Sequence, residues 1–402
     1  MLETSRRSLL TYSAIATLGI HRAKAATPSP IKIGVLGDQS NITADAGGPG
    51  TVTAVKMAVA DFGNKIGDRP IEVISADMLM KPDVAAQIAA QWFDTEGVDV
   101  IVDLPLSSAA LAVLEVARQR KKSTLITAAA TAAFTGARCS PTNVHWIDDT
   151  YALAHATARA VVAAGGKTWF FITADYVFGT AMQNDATAAV RSAGGTVVGS
   201  IRNPIGAGDF SSFLLAASSS GANVIGLASV GGDTITAIKQ AAEFGLGKGG
   251  QRLAGFLVFI TDIHALGLDV AQGLYVSSGF YWDQNDASRN FSHRFMQERR
   301  AMPTKSQAAS YAATMHWLKA AQAAGTTDSM TVNRQMREMP GDFFGKPTRV
   351  RQDGRAMYDM ELYQVKAPFE SKGAWDYYKA IATVPATEAF RSLSEGGCVS
   401  TN

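Results

Sequence analysis

From residue 30 onward the chain alternates short β-rich runs with amphipathic stretches, and it does so in two successive series. Ile31-Lys32-Ile33-Gly34-Val35-Leu36 reads as a strand, and the turn Gly47-Gly48-Pro49-Gly50 opens a helix. Its apolar residues, Val52, Val55, Val59, Phe62 and Ile66, are spaced by three and four, which is one face of a helix. A strand over 71–76 follows, then a helix with Pro82 in its first turn and Val84, Ile88 and Trp92 along its apolar face. Runs at 98–104, 124–127 and 144–146 continue the series, with a helix over about 108–119 between the first two. The rhythm restarts with strands at 167–173, 196–201, 223–228, 253–260 and 274–278, and helices near 180–193, 210–219 and 234–244. Strands alternating with helices imply parallel sheets covered on both faces. Two series therefore predict an α/β fold of two similar, doubly wound parallel-sheet lobes joined by a hinge. Three helical stretches at about 285–300, 304–324 and 331–338, and a last strand at 358–366, complete the pattern.

Ahead of this lies a secretory leader, residues 1–25. Arg6 and Arg7 form a basic start, 9–20 is an apolar run of 12 residues, and Ala23-Lys24-Ala25 is a cleavage motif before Ala26. The run is shorter than the roughly 20 residues that span a bilayer. Arg6-Arg7 before Ser8-Leu9-Leu10 fits twin-arginine export; an ordinary Sec leader is the alternative. Either route predicts a mature protein in the periplasm. Removing the leader leaves 33 basic and 34 acidic residues, so no basic footprint points to nucleic acid or to an anionic membrane. Hydrophobic content of 47% with 18% charge is that of an ordinary globular protein. Cys139 and Cys398 are the two cysteines. In an oxidising compartment they are expected to pair, tying the tail to a distant part of the fold; two unrelated buried thiols are the alternative.

Catalytic signatures are missing. No Gly-x-Ser-x-Gly elbow, His-Glu-x-x-His pair or phosphate loop occurs, and the first strand ends Gly34-Val35-Leu36-Gly37-Asp38 rather than in a dinucleotide fingerprint. The histidines have no metal-ligand spacing. We therefore expect no enzyme, no metal and no cofactor. What remains after the strands is small and polar: Ser107-Ser108, Ala128-Ala129-Ala130-Thr131 and Ser229-Val230-Gly231-Gly232. In open α/β sheets ligands sit at the carboxyl ends of strands, and helix N-termini there favour an anion. Ser107 or Ser108 would serve as a helix cap, as a ligand contact, or one as each. The second series adds Asp175-Tyr176-Val177-Phe178-Gly179 and Phe280-Tyr281-Trp282, aromatic groups for a cleft wall or for the core.

These segments resemble the branched-chain amino acid (Leu/Ile/Val) type I periplasmic binding proteins of ABC transporters over about residues 30–366. Further matches are Ala58-Val59-Ala60-Asp61-Phe62-Gly63, Ile126-Thr127 before the alanine run, Gly208-Asp209-Phe210-Ser211-Ser212-Phe213 and Ile238-Lys239-Gln240-Ala241-Ala242. The resemblance implies a first lobe of 30–148 plus about 279–348, a second of 149–278 plus about 349–366, and a tail, 367–402, returning to the first lobe. It implies a monomer that closes over a small molecule and delivers it to a membrane permease. A carboxylate would be held by Ser107, Ser108, Ala129, Ala130 and Thr131, with Tyr176, Phe178, Val230, Gly231 and Phe259 around its body. Asp175 or Asp233 would take a distal polar group. One departure stands out. Where amino-acid binders carry an acid for the α-ammonium, this chain has Phe256-Leu257-Val258-Phe259-Ile260-Thr261, with Asp262 the nearest acid. An unpaired ammonium in a closed cleft is costly. Gly47, where leucine binders place a bulky aromatic, suggests room for a larger ligand. The expected ligand is a small hydrophobic or aromatic carboxylate; a branched-chain amino acid, with Asp233 or Asp262 as anchor, is the alternative within the fold, and a sensory module is the alternative role.

Overall fold

The computed structural model describes Met1, Leu2 and residues 29–246 and 250–399; the rest of the leader lies outside the described residues. The first sheet contains β1 (Ile31–Gly37), β2 (Lys65–Ile66), β3 (Arg69–Asp77), β4 (Val100–Asp103), β5 (Ser123–Ile126) and β6 (Asn143–His145) in the order β2-β3-β1-β4-β5-β6. All pairs are parallel except the short β2–β3 pair. Helices α1 (Gly48–Phe62), α2 (Pro82–Gln91) and α3 (Ser107–Arg120) connect these strands. The chain then passes through α4 (Thr150–Ala163) into a second parallel sheet. Its strands are β7 (Thr168–Ala174), β8 (Thr196–Asn203), β9 (Val224–Ala228) and β10 (Arg252–Gly255), in the order β10-β9-β7-β8. Helices α5 (Val177–Ser192), α6 (Ser211–Ser219) and α7 (Gly232–Glu243) connect them, and α8 (Ile260–Leu266) and α9 (Leu268–Ala271) follow β10.

Burial explains why both sheets are continuous apolar runs. Val100 to Val102 and Val224 to Ala228 are shielded on both faces, with Trp169, Phe171 and Phe256 stacked beneath the second sheet at centroid distances of 6.0 and 6.1 Å. The 253–260 run is a strand only to Gly255. Its remaining apolar residues are buried in the loop between β10 and α8, which looks the same in a hydrophobicity pattern.

The 274–278 segment departs from the expected parallel series. It forms β11 (Tyr275–Ser278), which pairs antiparallel with a later strand in a sheet of its own. Helices α10 (Asp286–Arg299), α11 (Lys305–Ala324) and α12 (Ser329–Glu338) return to the first lobe, where α11 packs along α1. Strands β12 (Gly341–Phe343), β13 (Lys346–Val350) and β14 (Ala356–Met357) follow, and Arg355 bridges to His145 at the edge of the first sheet. Then come β15 (Met360–Val365) and β16 (Tyr378–Val384), completing the sheet β11-β15-β16. Strands β12, β13 and β14 thus form a small sheet of their own, tied to the edge of the first sheet by the Arg355 bridge, before the chain enters β15. The tail, expected without a strand, contributes β16 before returning to the first lobe. Its residues between Tyr378 and Val384 are exposed on both faces, so no alternating pattern marks it. Beyond β16, Arg391 donates to the Ala132 carbonyl at 3.1 Å, and Cys398 is disulfide-bonded to Cys139, with Cα atoms 5.7 Å apart.

Three segments cross between the lobes, at Asp148, Gly279 and Tyr358, and one carboxylate joins them. Asp148 accepts the Gly279 N–H at 3.2 and 3.3 Å and the Tyr358 hydroxyl at 3.1 Å. It also pairs with Lys305 Nζ at 3.1 Å, both side chains being buried. Lys305 donates in addition to the Ser277 carbonyl at 3.1 Å. Removing one member of a buried pair strands the other, at a cost of about 3–5 kcal/mol. Asp148→Ala is therefore expected to lower stability by about that amount in urea denaturation. Loss of the tail's covalent tie should be felt as well: Cys398→Ser is expected to cost roughly 2–5 kcal/mol, seen as a fall in melting temperature equal to that produced by reducing the parent protein.

Candidate functional site

The strand orders place one switch point in each sheet, between β1 and β4 and between β7 and β9. The loops leaving the carboxyl ends of these strands face each other across a cleft. From the first lobe come Thr43, Ala46 and Gly47 after β1, Pro105 and Ser107 after β4, and Ala128 and Ala130 after β5. From the second come Tyr176 and Phe178 after β7, Val230 after β9, and Leu257 and Phe259 after β10; Ser306 enters from the start of α11. The lobes are closed, leaving about 20 Å³ between them, the room of one water. A solute can therefore enter only when the lobes part. A larger groove of about 550 Å³ lies on the first lobe between α1, α11 and β12, but it is open surface away from the strand ends.

Closure is written into the backbone. The Gly232 N–H donates to the Ile42 carbonyl across the cleft at 3.2 Å. Gly231, at φ 57°, lies so close that a Cβ there would come within 2.2 Å of the Ile42 oxygen. Glycine is required at this position both for its conformation and for the approach of the opposite lobe.

The electrostatics come from helix ends rather than from charged side chains. None of the lining residues is ionic. Helices α3, α5 and α7 begin at the cleft, at Leu106, Tyr176 and Gly231, and none is capped by a side chain. Each start carries roughly half a positive charge on N–H groups without an intrahelical partner, one of which, that of Gly232 on α7, is already bonded to Ile42. Three of them face the same small space. The buried Ser107 and Ser306 hydroxyls add polar atoms that have no hydrogen-bond partner among the described residues. The Tyr176 and Phe178 rings, 5.8 Å apart, form an apolar wall, and burial keeps the Tyr176 hydroxyl protonated.

Several expected contacts turn away from this space. Ala129 spends both backbone groups inside the first lobe, its N–H on the Leu104 carbonyl at 3.1 Å and its carbonyl on His145 Nε2 at 2.8 Å. Thr131 is buried and its hydroxyl accepts the Ala133 N–H at 3.4 Å, capping a short helix. Ser108 lies in the first turn of α3 without lining the cleft. Asp175 points outward to Arg202 at 3.0 Å. Asp233 accepts the Gly206 N–H at 3.0 Å, and burial raises its carboxyl above the usual range. Asp262 accepts the Phe259 N–H at 2.9 Å, and burial pushes it up to about 7. Thr43, Ala46 and Ser306 were not singled out from sequence. The first two lie in the loop after β1, where the strand-end rule would have found them; Ser306, far along the chain, carries no local signal.

Among the described residues no helix is long and apolar enough to cross a membrane, and no group of His, Cys, Asp and Glu could hold a metal ion. A family model for periplasmic binding proteins matches residues 30–374. The Leu/Ile/Val-binding protein homolog 6 of Brucella melitensis is 28% identical over 299 residues, covering 73% of this chain and 74% of that protein. A periplasmic binding protein from Burkholderia mallei superposes with a TM-score of 0.90 at 45% identity, covering 92% of this chain and 98% of that one. A branched chain amino acid ABC transporter periplasmic ligand-binding protein from Burkholderia xenovorans LB400 gives a TM-score of 0.82 at 38% identity, covering 92% and 100%.

Proposed function

The chain belongs to the periplasmic binding protein family, and from that premise we propose that it binds a small hydrophobic or aromatic carboxylate lacking an α-ammonium. The family consists of solute-binding components of ABC importers, not enzymes, which deliver small molecules to a membrane permease from the periplasm. A monomeric working form and twin-arginine export belong to the same proposal.

The observation that carries the ligand reading is the convergence of three uncapped helix N-termini on a cleft whose other walls are apolar. Such a space suits an anionic head and an uncharged body. The Ser107 and Ser306 hydroxyls supply hydrogen-bond donors for the head, and Tyr176, Phe178, Leu257 and Phe259 supply contact area for the body. An α-ammonium finds no acid among the lining side chains. Asp262, the nearest acid in the second-lobe stretch, is tied to the Phe259 N–H and is only partly ionised near neutral pH. The names of the Brucella and Burkholderia xenovorans relatives favour a second reading, a branched-chain amino acid.

Calorimetry with benzoate, 4-methyl-2-oxopentanoate and leucine separates the two. The expected result is binding of the acids and weak or absent binding of leucine; tight leucine binding with the acids silent selects the second reading. Ser107→Ala should weaken benzoate binding by about 1.5–3 kcal/mol, the value of a hydrogen bond to a charged group. Gly231→Ala acts differently, because its methyl group holds the lobes apart. Benzoate affinity should fall at least about tenfold, and small-angle scattering of the benzoate-saturated variant should report a larger radius of gyration than that of the parent.

A further inference from the structure

Behind the first-lobe wall of the cleft lies a carboxyl group that no hydrogen bond accounts for. Asp103 ends β4, is wholly buried, and has no partner for either oxygen among the described residues. Buried polar groups are nearly always paired, so an orphan of this kind calls for a reason. Its backbone is also strained. Asp103 sits at φ 92° and Leu104 at φ 63°, left-handed values that residues other than glycine adopt at a cost. Two such residues in succession lead directly into Pro105 and Ser107, which line the cleft. Strain of this type survives where the surrounding structure enforces it, and it clusters at binding sites.

The neighbours point to the cleft as well. A Cβ on Gly47, itself a lining residue, would lie 3.5 and 3.7 Å from the two Asp103 oxygens and 3.3 Å from the Thr51 hydroxyl. Because Gly47 carries no side chain, the carboxyl lies directly behind this one lining residue. The Thr51 hydroxyl faces the carboxyl and is the one influence that favours its charged form, but it and the Gln39 amide nitrogen are likewise buried without a hydrogen bond of ordinary geometry. Asp103, Thr51 and Gln39 thus gather several buried polar atoms behind one cleft residue, where a polar group of a ligand would find partners.

The charge state narrows what that group is. Burial, and then the negative charge of Asp38, raise Asp103 well above the usual carboxylate range, which favours its neutral form. Asp38 is satisfied by Asn41 and Thr43, whose N–H groups donate at 2.8 and 2.9 Å. A neutral carboxyl donates and accepts at once, as a hydroxyl does, and it gives an ammonium no counter-charge. We propose that Asp103 reads a hydroxyl group on the bound acid, so that the protein prefers hydroxylated carboxylates to their unsubstituted counterparts. The inference rests on the carboxylate reading above and names the feature that selects among such acids.

The test is calorimetry on matched pairs: benzoate against 2-, 3- and 4-hydroxybenzoate, and 4-methylpentanoate against 2-hydroxy-4-methylpentanoate, with leucine alongside. At least one hydroxylated acid should bind about tenfold or more tightly than its partner. Asp103→Gly should bring that ratio to within about threefold. Glycine is at ease at φ 92°, so the ligand-free variant should melt no lower than the parent. Asp103→Ala, which removes the same carboxyl but keeps the strain, should lose the preference equally. Equal binding within every pair would overturn the inference while leaving the carboxylate reading intact. Silence toward all the acids would sink both. A preference that survives either substitution, or a marked fall in the Asp103→Gly melting temperature, would remove Asp103 from recognition. Leucine binding abolished by Asp103→Gly would mean that the group read is an ammonium, and would overturn the hydroxyl assignment.

Discussion

Asp148 accepts hydrogen bonds from both of the other segments that pass between the lobes, and Lys305 neutralises it in a buried pair. Lys346 extends the junction, donating to the Gly279 and Asp359 carbonyls at 3.1 Å each. The consequence is mechanical. Two lobes joined by three crossing segments can rotate about a narrow waist if the segments keep their spacing while they bend. A carboxylate on one crossing bonded to the other two fixes their spacing, and it does so where burial makes its loss expensive.

The cleft above this waist is built on the opposite electrostatic plan. The hinge uses a full buried ion pair, whereas the ligand space uses helix ends and hydroxyls and keeps ionic side chains out of its lining. Fixed N–H groups need no counter-ion and carry no side-chain entropy cost, which suits the anion proposed as the ligand. The Gly231–Ile42 approach shows how tight closure is, since it leaves no space for even a methyl group. The unpaired polar atoms of Asp103 and Thr51 and the left-handed backbone at Asp103 and Leu104 lie together where the end of β4 meets the first turn of α1.

Which loops line the cleft was legible in the sequence, because the loops after strands carry their own signals. The β4 loop with Ser107, the β5 loop with Ala130, the β7 loop with Tyr176 and Phe178, and the β9 loop with Val230 all line the cleft. Which side chain in a loop faces inward was not legible. Ala129 is turned into the lobe by His145, which is itself fixed by the Arg355 guanidinium at 3.1 Å. Asp175 is drawn to the surface by Arg202. Each partner lies tens to hundreds of positions away, so no local pattern reports it.

The alternation of apolar strands and amphipathic helices by itself determined two doubly wound lobes, since a strand buried on both faces needs a helix on each side, and the leader set the expectation of a periplasmic protein. The helix over 108–119 and its observed span, Ser107–Arg120, agree because periodicity is a local property. Only the tertiary structure decided that β11 pairs antiparallel with β15, that the tail adds β16, and that Asp148 binds the crossings together. It alone decided that Ser306 joins Thr43 in the lining of the cleft and that the Asp103 carboxyl has no hydrogen bond of ordinary geometry. Strand direction, cleft lining and unpaired burial depend on which distant segments come to rest against one another, and that is settled when the lobes pack.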